Sequence, residues 1–78
     1  MTGQLAAHMV KIAPEKNQYR YYAMIVTPTL FGDWSLVREW GRIGRAGHRT
    51  IEHHPTEQAA IISLLKWKQA KVRRGYEG

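Results

Sequence analysis

Cysteine is missing from all 78 positions. That excludes a disulfide framework and a thiolate-based metal cage, and it fits a reducing, cytoplasmic setting. Long apolar runs are missing too. No aliphatic run is longer than Ala23–Val26, far short of the ~20 residues that cross a bilayer as a helix, and no basic segment leads into an apolar signal core. Serine occurs only at Ser35 and Ser63, and no nucleophile motif surrounds either. The acids Asp33, Glu39, Glu52 and Glu57 have no spacing suited to metal-assisted hydrolysis, so nothing marks the chain as an enzyme. Acidic residues are scarce overall: six, against twelve Lys and Arg, leaving a net charge of +6 and a pI near 10.1. An excess of this size favours an anionic partner.

A chain of this length makes one domain and hides only ~60% of the surface its unfolded form exposes. Three tryptophans, four tyrosines and the aliphatic residues of the C-terminal half must therefore supply most of a thin core. MTGQLAAHM, residues 1–9, ends in His8-Met9 and reads either as a vector-derived remnant or as a native loose leader. Residues 1–16 are expected to lie outside the fold as a disordered leader, with VKIAPEKNQ an extended entry or loop around Pro14. YRYYAMIV (19–26) is rich in aromatic and β-branched residues and predicts a strand whose two faces differ little, so it is either covered on much of both sides or lies at a sheet bend. TPTLFGD (27–33), with Pro28 and Gly32-Asp33, is the connection of a hairpin, and a second strand starts at Trp34. A third strand, HRTIEHH (48–54), is expected to turn Ile51 into the core. Pro55 ends it, Thr56 caps a helix with Glu57 in its first turn, and Gly75 stops that helix. Its expected buried face is Ala60, Ile61, Leu64, Leu65, Trp67 and Val72, with Ser63 opposite. The expected fold class is α+β: a twisted antiparallel β-sheet with one long C-terminal α-helix packed against it.

One stretch departs from ordinary sheet composition. WGRIGRAGHR (40–49) sets an indole, three glycines and three arginines within ten residues. In extended geometry Trp40 and Arg42 project from one face roughly 7 Å apart, with Gly41 leaving the backbone between them open to close approach. Arg45 falls at the tip of a turn flanked by Gly44 and Gly47, and Arg49 early on the returning strand. Trp40 has two readings. As a core anchor its burial contributes ~2–3 kcal/mol; as a stacking surface beside guanidinium groups it suits nucleic-acid sugars, bases and phosphates. The glycine spacing fits neither a dinucleotide-binding fingerprint nor a P-loop, and a hairpin turn is the plainer role for Gly44 and Gly47. His48, His53 and His54 are close in sequence, but consecutive His53 and His54 point apart on a strand, so no metal and no cofactor is expected. Five of the nine residues 66–74 are Lys or Arg, including Lys71 and Arg74. They complement the carbonyl end of the helix dipole and form either a solvated face or an anion contact.

The motif W-G-R-I-G at Trp40–Gly44 resembles the signature of the WGR domain family. The likeness extends through YRYYAMIV, WSLVREW, the turn, the Thr56–Arg74 helix and Gly75-Tyr76, so residues 17–78 are read as a WGR domain. The family occurs in DNA-dependent poly(ADP-ribose) polymerases, in larger bacterial proteins and as small free-standing chains, and this sequence is similar to the last. The resemblance implies a DNA-binding module that favours ends, nicks or exposed termini. It places the motif tryptophan's packing on a terminal sugar at Trp40, the motif arginine at Arg42, a basic residue after the turn at Arg49, and one near the helix end at Lys71. The polymerase modules also signal to a neighbouring catalytic domain, which these residues do not contain. DNA is the expected partner, with RNA the other nucleic acid and no membrane. The rival expectation is a protein-interaction module or small homo-oligomer that meets an acidic partner through the same surface.

Overall fold

The computed structural model describes residues 5–78. Four strands follow one another as a meander: β1 (Ala6–Ala13), β2 (Gln18–Pro28), β3 (Trp34–Arg42) and β4 (His48–His54). Each pairs antiparallel with its sequence neighbour, in spatial order β1-β2-β3-β4. The helix α1 (Glu57–Arg73) closes the chain and packs against β2, β3 and β4. This is the α+β arrangement expected from the sequence.

β1 is the main departure. Ala6–Ala13 was expected to belong to a leader, yet it pairs along its whole length with β2, from Ala6 opposite Ile25 to Ala13 opposite Gln18. Its composition, AAHMVKIA, has little strand signature of its own. It is a strand because Met9 fits beside Tyr22 and is buried with it. A 3₁₀ turn at Pro14–Lys16 and Asn17 in the left-handed region, at φ 53°, reverse the chain into β2.

The pleat sorts side chains by parity. On the helix-covered face, Met9, Tyr22, Met24, Val26 and Leu36 meet Ala60 and Leu64, and this set is the core. The other face of β2 carries Tyr21, Ala23 and Ile25, which are only half-buried because no described element covers them. Of the two alternatives that the sequence left open, cover on much of both sides is therefore not found among the described residues. Ile51 also lies on the uncovered face and is 53% exposed rather than in the core.

Thr56 caps α1 as expected, its Oγ1 accepting from the Ala59 N–H at 3.1 Å. The buried stripe is narrower than expected. Ala60 and Leu64 are sealed and Ile61 and Trp67 pack on the core, while Leu65 and Val72 stand exposed. Ser63 turns inward instead, donating to Glu52 on β4 at 2.8 Å. At the other end the Tyr76 N–H donates to the Lys71 carbonyl and the Gly75 N–H to that of Val72, both at 3.0 Å, with Gly75 at φ 97°. This is a Schellman ending, which needs a left-handed residue where glycine stands. It turns the tail back so that Glu77 pairs with Val10 on the outer edge of β1 and Tyr76 meets Tyr22 edge-on.

Candidate nucleic-acid interface

Strand register builds the site. Tyr22 lies opposite Trp40, and Trp40 opposite His48, so these rings form a row across β2, β3 and β4 on the helix-side face. Trp40 stacks on Tyr22 with ring centres 5.8 Å apart and tilts against His48 at 5.9 Å. The indole packs on the core yet is left partly exposed, so it is neither sealed in the interior nor free of it.

The next row outward is Lys11, Arg20 and Arg42, consecutive partners across β1, β2 and β3. Like charges directly opposite on a sheet are destabilising. Arg42 is steadied by Asn17, donating to its backbone and side-chain oxygens at 3.3 and 3.4 Å, and lies 5.5 Å from the centre of the Tyr19 ring. Arg20, Trp40, Gly41, Arg42, His48 and Tyr76 line a cleft of about 390 Å³. None of these six is acidic.

The indole is set from below by a half-buried cation. The Arg38 guanidinium lies 3.9 Å from the centre of the Trp67 ring and 5.5 Å from that of Trp40. It donates to the Tyr22 hydroxyl at 2.9 Å, and its Nε is 3.3 Å from Glu52 Oε2. Glu52 also accepts from Ser63, from His54 at 3.1 Å and from Trp67 Nε1 at 3.1 Å. Burial pushes the Glu52 pKa up, but the hydrogen bonds from Ser63, His54 and Trp67, with the charge of Arg38, outweigh it and hold the group below the ordinary value. Arg38 is thus committed to the fold, although it shares the parity of Trp40 and Arg42.

The glycines of the motif have separate tasks. Gly44 takes φ 85° in the turn closed by the Arg45 N–H on the Arg42 carbonyl at 3.1 Å. Gly41 and Gly47 face each other: a Cβ on Gly41 would stand 2.8 Å from the Gly47 Cα, and a Cβ on Gly47 only 2.2 Å from the Trp40 carbonyl oxygen. The close approach expected at Gly41 is therefore made by the protein's own returning turn.

Of the residues singled out from the sequence, Trp40, Gly41 and Arg42 come together in the cleft. Arg45 is exposed on the adjoining turn. Arg49 does not join them: it pairs opposite Glu39 with the parity of the uncovered face. Lys71 sits behind the cleft rather than at its mouth, its Nζ 4.7 Å from the centre of the Tyr22 ring and 5.9 Å from that of Tyr76. Burial, followed by repulsion from Arg74 and Arg38, lowers its pKa. Arg74 is exposed at the helix end. Sequence reasoning missed Arg20, His48 and Tyr76 as lining groups. The parity Arg20 shares with Tyr22 was the available signal, but its partner across the sheet depends on register. His54 and Glu52 meet on the helix side, while His53 lies 3.7 Å from Asp33 elsewhere.

The fold is thus a sheet shielded by one helix on one face, with a cationic aromatic cleft at the end of that face. The sequence profile of the WGR domain matches residues 5–78, and the chain belongs to that family. WGR domains are generally nucleic-acid-binding modules. The chain is also similar to the "uncharacterized protein y4dW" of Sinorhizobium fredii (strain NBRC 101917 / NGR234), with 41% identity over 69 residues. That match covers 88% of this chain and 34% of the relative, so the chain spans about a third of the relative's length. No solved structure matches it. Among the described residues, no helix is long and apolar enough to cross a membrane.

Proposed function

We propose that the cleft binds DNA without catalysis and favours ends, nicks and other exposed termini. The observation that carries this reading is the cross-strand row Lys11–Arg20–Arg42 beside the half-covered Trp40. Three cations in adjacent register positions repel one another and cost stability, a cost that a bound phosphate chain would offset. What remains exposed of the indole, held between Tyr22 and His48, is an aromatic contact for the sugar or base at the end of a strand, a partner that an uninterrupted duplex does not present. Arg45 extends the cationic surface onto the turn and Arg74 extends it at the helix end, while Lys71 adds its charge from behind the Tyr22 and Tyr76 rings. α1, the one helix among the described residues longer than a single turn, is docked on the sheet through Ala60, Ile61, Leu64 and Trp67, so it is not free to enter a groove and read base edges, and selectivity rests on the form of the terminus.

A titration of labelled blunt, nicked and closed-circular duplexes at two salt concentrations tests the reading. With three or four phosphates engaged, log affinity falls against log salt with a slope of about 3 in magnitude. Trp40→Ala weakens binding to ends and nicks by roughly 5-fold or more, in line with ~1–3 kcal/mol per stacked base, and changes binding to closed circles little. Salt-independent binding, or an equal loss on all three substrates, would sink the proposal.

A further inference from the structure

The sheet face turned away from α1 is apolar where an exposed antiparallel face is ordinarily polar. One register row crosses all four strands as Ala6, Ile25, Val37 and Ile51, and no described element lies over it. A groove of about 260 Å³ runs along this face between Ala23, Ile25 and Val37, with Glu39 and Arg49 at its end. Contiguous exposed apolar patches of this kind mark interaction surfaces.

We infer that this face packs against the same face of a second copy of the chain. Charge distribution selects that occupant. The repelling row Lys11–Arg20–Arg42 projects from the opposite, helix-side face by its register. The central rows of the apolar face hold one charge of each sign, Glu39 and Arg49, directly opposite each other on β3 and β4. A chain of net charge +6 can therefore meet itself here without opposing like-charged surfaces. A nucleic acid would find too few cations on the same face. Four strands about 4.8 Å apart and some seven residues long give a footprint on the order of 400 Å², about 800 Å² for two copies, the size of a weak, concentration-dependent interface. Face-to-face packing leaves both clefts on the outside, so a dimer would present two DNA-binding surfaces. That last consequence rests on the proposed function, whereas the association itself does not.

Sedimentation equilibrium of the full chain from about 1 to 200 μM tests the inference without DNA. The expected mass rises from 9.0 kDa toward twice that value. Ile51→Lys weakens self-association by at least ~10-fold, whereas Ile62→Lys, at an isoleucine of matching exposure on the helix, leaves it unchanged. A single-species mass of 9.0 kDa throughout, or equal effects of the two variants, overturns the inference. Should Ile51→Lys fail to fold, a spin label on Ile51→Cys, unique because the chain has no other cysteine, is mixed with unlabelled ¹⁵N protein. Broadening centred on Ala23, Ile25 and Val37 of the unlabelled copy supports face-to-face packing. Broadening confined to α1 or to the outer edge of β4, or none, refutes it.

Discussion

Replacing Gly47 by alanine tests the account of the motif turn most directly. The added Cβ would meet the Trp40 carbonyl oxygen at 2.2 Å, its carbon at 2.8 Å and the Tyr21 hydroxyl at 2.5 Å. Two of these three atoms are backbone, so relief requires the turn to move away from β3 by nearly 1 Å. Overpacking of this kind costs ~1–3 kcal/mol, while the entropic gain from alanine in the unfolded chain returns only about 0.4–1 kcal/mol. The net expectation is a loss of about 1–1.5 kcal/mol. For a domain of this size that is roughly 4–12 °C in Tm, measurable by circular dichroism or calorimetry. Gly41→Ala, with its tightest contact at 2.8 Å to the Gly47 Cα, should lose less. Gly44→Ala has nothing within 4 Å and pays only for its φ of 85°, about 1 kcal/mol. The expected order of damage is Gly47, Gly41, Gly44. A Gly47→Ala protein as stable as the parent would refute the claim that the turn is seated on β3 by backbone contact.

Two further outcomes follow from the site. Glu52→Gln should lower stability by about 1–2 kcal/mol near neutral pH, because its two oxygens serve Ser63, His54, Trp67 and Arg38. Since the folded pKa lies below the ordinary 4.5, the ionised form's contribution is present above that value and is lost as pH falls through the lower folded value. The gap in Tm between parent and variant should therefore close in acid, and a gap constant from pH 7 to 3 counts against the network. Arg42→Ala should reduce the salt slope of DNA binding by about 1, whereas Arg49→Ala, on the other face, should leave it nearly unchanged; equal effects would return Arg49 to the cleft.

The sequence carried the local signals. Pro55, Thr56 and Gly75 bounded the helix, Trp34 opened its strand, and strict alternation put Trp40 and Arg42 on one face, because pleat, cap and left-handed turn depend on a few neighbouring residues. Tertiary structure decided what lies across from what. β1 is a strand because Met9 meets Tyr22, not because AAHMVKIA favours one. Ser63 turns inward because Glu52 awaits it, while Leu65 and Val72 are left in solvent because a flat sheet contacts only a narrow stripe of a helix. Arg20 reaches the cleft and Arg49 leaves it through strand register, where a shift of one residue exchanges the two faces. Register is set by contacts between residues far apart in the chain, which is why the composition of the binding surface was legible in the sequence and its membership was not.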